Sequence, residues 1–140
     1  MKIVAIETIV PGDRSPLPSL VFVRVHTDSG LVGCGETYYT PLAVSTYIHE
    51  FLARLVRGMD ATAPEALWDT AYRAAAKFGG KGLELRALSA VDIAVWDIVA
   101  QNAGMPLYNV LGGPVSASVA TSNTCAGPTP DRGWRPGCGH

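Results

Sequence analysis

Residues 83 to 102 constrain this chain more than any other stretch. Leu85, Leu88, Val91, Val95, Ile98 and Val99 recur at spacings of three and four, one apolar face of a helix about five turns long. Ala87, Ala90 and Ala94 add a strip of small side chains beside that face, which lets another element approach closely. Gly104 closes the helix, and Met105-Pro106 starts a short helical turn that ends at Leu111-Gly112-Gly113. A helix with this much apolar surface needs other elements to cover it.

Those elements precede it. Lys2 to Val10 alternates as a strand, with Ile3, Ala5 and Thr8 on one side and Val4, Ile6 and Ile9 on the other. Leu20 to Thr27 is a second strand, with Val21, Val23 and Val25 on one face. Asp28-Ser29-Gly30 supplies turn chemistry, and Leu31 to Tyr38 returns as an antiparallel third strand. Thr40-Pro41 reads as a helix cap followed by proline at the first helical position. Val44, Ile48, Phe51, Leu55 and Met59 form the apolar face of that helix, which Gly58 ends. Pro64 opens a second helix with Leu67, Trp68, Ala71, Tyr72, Ala75 and Phe78 on its face, stopped by Gly79-Gly80. The fold class is α+β: a three-stranded antiparallel meander followed by a helical bundle. Ser118 to Thr124 reads as one more strand, and the residues from 128 onward, rich in glycine and proline, read as a disordered or aberrant tail.

Bulk properties exclude several functions. Twelve acidic and eleven basic residues leave a net charge of -1, so nothing favours nucleic acid or an anionic membrane. No apolar run approaches a membrane span, and the N-terminus reads as a strand rather than a signal peptide. Cys34, Cys125 and Cys138 have no metal-type spacing and are read as free, buried thiols of a cytoplasmic protein.

Candidate chemistry is sparse. The glycines of GLVGCGE lead into and lie along a strand rather than between a strand and a helix, so it is neither a dinucleotide fingerprint nor a P-loop. Glu36 is a lone strand carboxylate. His26 alternates with the valines and faces solvent; His49 lies beside the apolar face of its helix. Asp92 and Asp97 do not share a helix face, and the exposed helix charges read as solvated. Tyr38 and Tyr39, where strand becomes loop, are candidates for lining a pocket. The residues alone reach no catalytic constellation. A stand-alone α+β interaction module remains an alternative, since an unpartnered apolar face calls for a partner.

Three phrases carry a resemblance: TDSGLVGCGETYYTP at 27 to 41, EALWDTAYRA at 65 to 74, and RALSAVDIAVWDIVAQNAGMPLYNVLGG at 86 to 113. With the order of elements, they resemble the N-terminal capping domain of the mandelate racemase and muconate lactonizing enzyme branch of the enolase superfamily. The acid-sugar dehydratases are the most similar members. The resemblance implies a cap at 1–113 and the first strand of a TIM barrel within 114–127. It implies a whole enzyme that removes a proton α to a carboxylate, as a dehydratase, racemase or cycloisomerase. Barrel carboxylates would hold Mg²⁺, which offsets charge developing on the substrate carboxylate, and barrel lysines or histidines would move the proton. It also implies a small carboxylate or sugar-acid substrate and a homo-oligomer.

A TIM barrel takes about 250 residues, and the chain runs only to His140. The metal ligands and catalytic bases are therefore expected to be missing, with no specific Mg²⁺ site and no activity in this chain alone. A truncation by frameshift or artefactual stop is the matching expectation, tested by reading the encoding DNA past the stop. Two loops of such caps reach the substrate, here Pro11 to Ser19 and Thr37 to Pro41. The resemblance thus implies Asp13, Arg14, Tyr38 and Tyr39 as substrate-capping residues, Arg14 through its carboxylate-matching fork.

Overall fold

The computed structural model describes residues 1–12, 19–79, 81–116 and 118. Three strands, β1 (Ile3–Ile9), β2 (Leu20–Thr27) and β3 (Val32–Tyr38), form an antiparallel sheet in the order β1-β2-β3. Helix α1 (Pro41–Tyr47), a π-helical segment (Ile48–Leu52) and α2 (Ala53–Val56) run on continuously. Helices α3 (Pro64–Ala76), α4 (Leu83–Ala103) and α5 (Leu107–Val110) complete the described elements. The α+β meander-then-helices architecture expected from the sequence is what folds. Among the described residues no helix is long and apolar enough to cross a membrane. The expected strand over 118 to 124 lies outside the described residues apart from Ser118.

One face of the sheet carries the core. Val21, Val23 and Val25 are fully buried, as strand alternation requires. They meet α4, whose Ala87, Leu88, Ala90, Val91, Ala94, Val95 and Ile98 are all buried. The alanine strip takes strand β3 against it. A Cβ at Gly33 would lie 1.9 Å from the carbonyl oxygen of Ala94, and one at Gly35 would lie 2.1 Å from that of Ala90. No side chain fits between these backbones, so β3 needs glycine at both positions. Gly30 has a separate reason: its φ of 87° closes the β2–β3 turn.

Helix α4 also closes the outer side of β3. The Cys34 amide donates to the Asp97 carboxylate at 2.8 Å, and the Gln101 amide donates to the Val32 carbonyl at 2.9 Å. Gln101 donates to Asp97 as well, at 3.0 Å. Asp97 is therefore not the solvated helix charge that its spacing indicates; it satisfies a strand edge that would otherwise lack partners.

Other local expectations are corrected. The register of β1 against β2 shifts between Ile3 and Ala5. This bulge puts Ile3 and Ile6 on the core side and leaves Ala5 exposed, which strict alternation places with Ile3. In the helix after Pro41, the fully buried residues are Val44, Ile48, Leu52 and Val56; Phe51, Leu55 and Met59 are only partly buried. Residues four apart drift by about 40° per step on an ideal α-helix. The π segment, with the Ala53 amide bonded to the Ile48 carbonyl, takes up that drift. Tyr72 and Phe78 are exposed rather than on the buried face of α3, and Leu85 and Val99 of α4 are half-buried. Cys34 is free but exposed, not buried.

Candidate substrate-capping site

Strand β3 leaves the sheet through a corner of unusual backbone. Tyr39 and Thr40 have φ of 76° and 48°, two successive non-glycine residues in the left-handed region. Such conformations cost energy and persist only where surrounding contacts hold them. Thr40 does not cap α1 with its side chain, contrary to the sequence expectation; its carbonyl instead accepts from the Val44 amide at 3.0 Å. The Tyr39 amide donates to the Ser19 carbonyl at 2.9 Å, which ties the corner to the strand entry of β2.

The two tyrosine rings stand out from this corner, Tyr38 60% and Tyr39 59% exposed. Arg86, in the first turn and a half of α4, reaches both. Its guanidinium carbon lies 4.9 Å from the Tyr38 ring centre and 5.3 Å from that of Tyr39. One of its N–H groups donates to the Tyr38 carbonyl at 3.2 Å. The ring quadrupoles attract the cation, and the planar guanidinium can lie along a ring while donating in its own plane. The arrangement is a cationic group between two phenols, an environment suited to a hydroxylated anion.

Of the residues expected at the site, Tyr38 and Tyr39 come together here, whereas Asp13 and Arg14 lie outside the described residues. Arg86 was not expected. A signal for it exists in the sequence: a cation near the N-terminus of a long helix opposes the helix dipole, so it needs a specific partner elsewhere. Glu36 is exposed and pairs across the sheet with Phe22. His26 lies on the sheet face away from the helices, 3.4 Å from Glu7, which also sits 3.8 Å from Arg24.

His49 has a different neighbourhood, near the opposite edge of the sheet. Its Nε2 shares a hydrogen bond with Thr8 at 2.8 Å, and Thr8 shares another with Ser45 at 2.7 Å. A cavity of about 510 Å³ opens beside it, floored by Ile3 and Ile6 of β1 and bordered by Arg54 and Arg57. Glu50 engages Arg54 at 2.6 Å. Two buried or half-buried groups are perturbed: burial, then the Glu65 charge, raises the Asp92 carboxyl, and burial, then Glu84, raises the Tyr47 phenol. Among the described residues no three His, Cys, Asp or Glu side chains converge as a metal-binding group.

Comparison with known proteins agrees with this architecture. Residues 14–112 match the model of the mandelate racemase / muconate lactonizing enzyme N-terminal domain. A D-mannonate dehydratase of Novosphingobium aromaticivorans is 39% identical over 115 residues, 81% of this chain and 28% of that protein. An L-rhamnonate dehydratase of Saccharopolyspora erythraea is 43% identical over 94 residues, 66% of this chain and 24% of that protein. The chain thus spans about a quarter of the length of these relatives. Among solved structures, an enolase protein from Sargasso Sea environmental sequence superposes with a TM-score of 0.72 at 39% identity, over 82% of this chain and 30% of that one. A mandelate racemase/muconate lactonizing protein of Paracoccus denitrificans, complexed with magnesium, gives 0.73 at 30% identity, over 82% of this chain and 31% of that one. With its fold, its phrases and most of its length shared, this chain belongs to the family of mandelate racemase / muconate lactonizing enzyme N-terminal domains.

Proposed function

We propose that residues 1–113 work as the cap of a magnesium-dependent lyase or isomerase acting on a sugar acid, with 114–127 leading into its barrel. The observation that carries this reading is the Tyr38–Tyr39 corner with Arg86 across both rings. Relatives named as mannonate and rhamnonate dehydratases support the substrate class. A sugar acid offers a carboxylate and several hydroxyls, and phenols beside a guanidinium answer both. The exposed apolar side chains Met105, Tyr108 and Leu111, on α5 and just before and after it, support docking against a further surface.

In this reading the cap supplies substrate contacts and excludes water, and the chemistry happens elsewhere. Magnesium belongs to the reading through the Paracoccus denitrificans relative. Among the described residues no group of three or more His, Cys, Asp or Glu side chains could hold it. Asp13 and Arg14 enter as further substrate contacts from the loop before β2.

The test is transplantation. Residues 1–113 replace the matching segment of the Novosphingobium aromaticivorans D-mannonate dehydratase, and dehydration of D-mannonate is followed. Tyr38→Ala and Tyr39→Ala should each raise KM about tenfold, the loss of one good contact. Arg14→Ala should lower kcat/KM as well. Unchanged kinetics in all three variants would remove these residues from the substrate site.

A further inference from the structure

We propose that Arg86 is the positioning residue of the Tyr38–Tyr39 corner: it holds two successive left-handed residues in place and so fixes where both rings stand. The strain at Tyr39 and Thr40 has to be offset by contacts that exist only in this conformation. Arg86 provides three at once, the Tyr38 carbonyl and the faces of both rings. It comes from α4, whose packing on β3 is locked by Gly33 and Gly35, so its guanidinium is presented from a rigid base. Among the described residues the corner is otherwise tied by two backbone bonds, Tyr39 to Ser19 and Val44 to Thr40. Arg86 thus couples helix α4 to the two side chains read above as substrate contacts. Only the link to substrate rests on that reading; the positioning itself does not.

Hydrogen exchange on the 140-residue chain tests it without any substrate. The amides of Tyr39 and Val44 report the corner, and those of Val23 and Val25 report the core. Arg86→Met keeps the stem and the helix propensity and removes the guanidinium. It should lower protection at Tyr39 about tenfold while leaving the core amides unchanged, because local opening is read residue by residue. The near-ultraviolet circular dichroism of the tyrosines should weaken in parallel. Arg86→Lys, which keeps a cation and a donor, should recover part of both signals. Equal protection at Tyr39 in Arg86→Met overturns the proposal. So does a loss of core protection in that variant, which would make Arg86 a general stability residue rather than one acting at the corner. So does Arg86→Lys behaving like Arg86→Met. Failure of the transplanted cap to respond to Tyr38 or Tyr39 would instead sink the substrate reading and leave this one standing.

Discussion

Gly35 of β3 lies against the carbonyl oxygen of Ala90 with only 2.1 Å for any added Cβ. Gly33 repeats the contact one turn on, at Ala94. The two repeats match because four residues of helix rise about 6 Å and two residues of strand about 6.6 Å. A G-x-G strand is therefore commensurate with an A-x-x-x-A helix, and the two backbones can run together. Gly35→Ala must push strand from helix, since the obstructing atom is backbone and cannot rotate away. The expected loss is about 3 kcal/mol, the upper end of overpacking costs, seen as a shifted urea midpoint. A midpoint within error of the parent would show that the contact relaxes.

Asp97 makes a charged acceptor for a backbone amide that has no strand neighbour among the described residues. Asp97→Ala should cost about 2 kcal/mol and raise exchange at the Cys34 amide. If Asp97 were a solvated helix charge, the change would fall within about 0.5 kcal/mol.

Asp92 gives a pH signature. Burial first, and the Glu65 charge second, hold its carboxyl above the ordinary aspartate range. The folded state then binds the proton more tightly than the unfolded state. Asp92 therefore destabilises once pH exceeds the unfolded value, and the full penalty is present above the raised folded value. Asp92→Asn should be more stable than the parent at neutral pH. The advantage should vanish as pH falls below the usual aspartate value. A difference that is flat across that range in thermal melts would mean the charge is not the cause.

Tyr47 buries its hydroxyl without a hydrogen-bond partner among the described residues. Its ring stays useful, packed in a tilted contact with its centre 5.1 Å from that of Phe51. Tyr47→Phe keeps the ring and removes the unpaired oxygen, so stability should hold or rise by about 1 kcal/mol in calorimetry. A drop of that size would reveal a partner for the hydroxyl.

Much of this architecture is legible in the sequence, because periodicity reports which side of an element is apolar. Val21, Val23 and Val25 alternate cleanly, and α4 announces itself by Leu88, Val91, Val95 and Ile98. What periodicity cannot report is partner choice. The glycines of β3 and the alanines of α4 are both visible as close-packing signals, yet nothing local says that each is for the other. The bulge at Val4 and the π turn at Ile48–Leu52 fail for a related reason. Each inserts an offset into a regular period, and the offset is set by the tertiary surface. At the site, Tyr38 and Tyr39 were legible as loop-end aromatics. Arg86 lies 48 residues from Tyr38, so only the packed fold brings it there.

Asp97 and Gln101 have one more consequence, for growth of the sheet. Their hydrogen bonds occupy the free backbone groups of β3 at Cys34 and Val32, so another strand meets side chains rather than open amides there. The far side of β1 is different. Among the described residues its backbone is engaged at its start, where Ile3 exchanges bonds with Gly58 and Met59. Among the described residues the sheet is thus polar in the directional sense: its own helix engages one margin at Val32 and Cys34, and the other is engaged at Ile3.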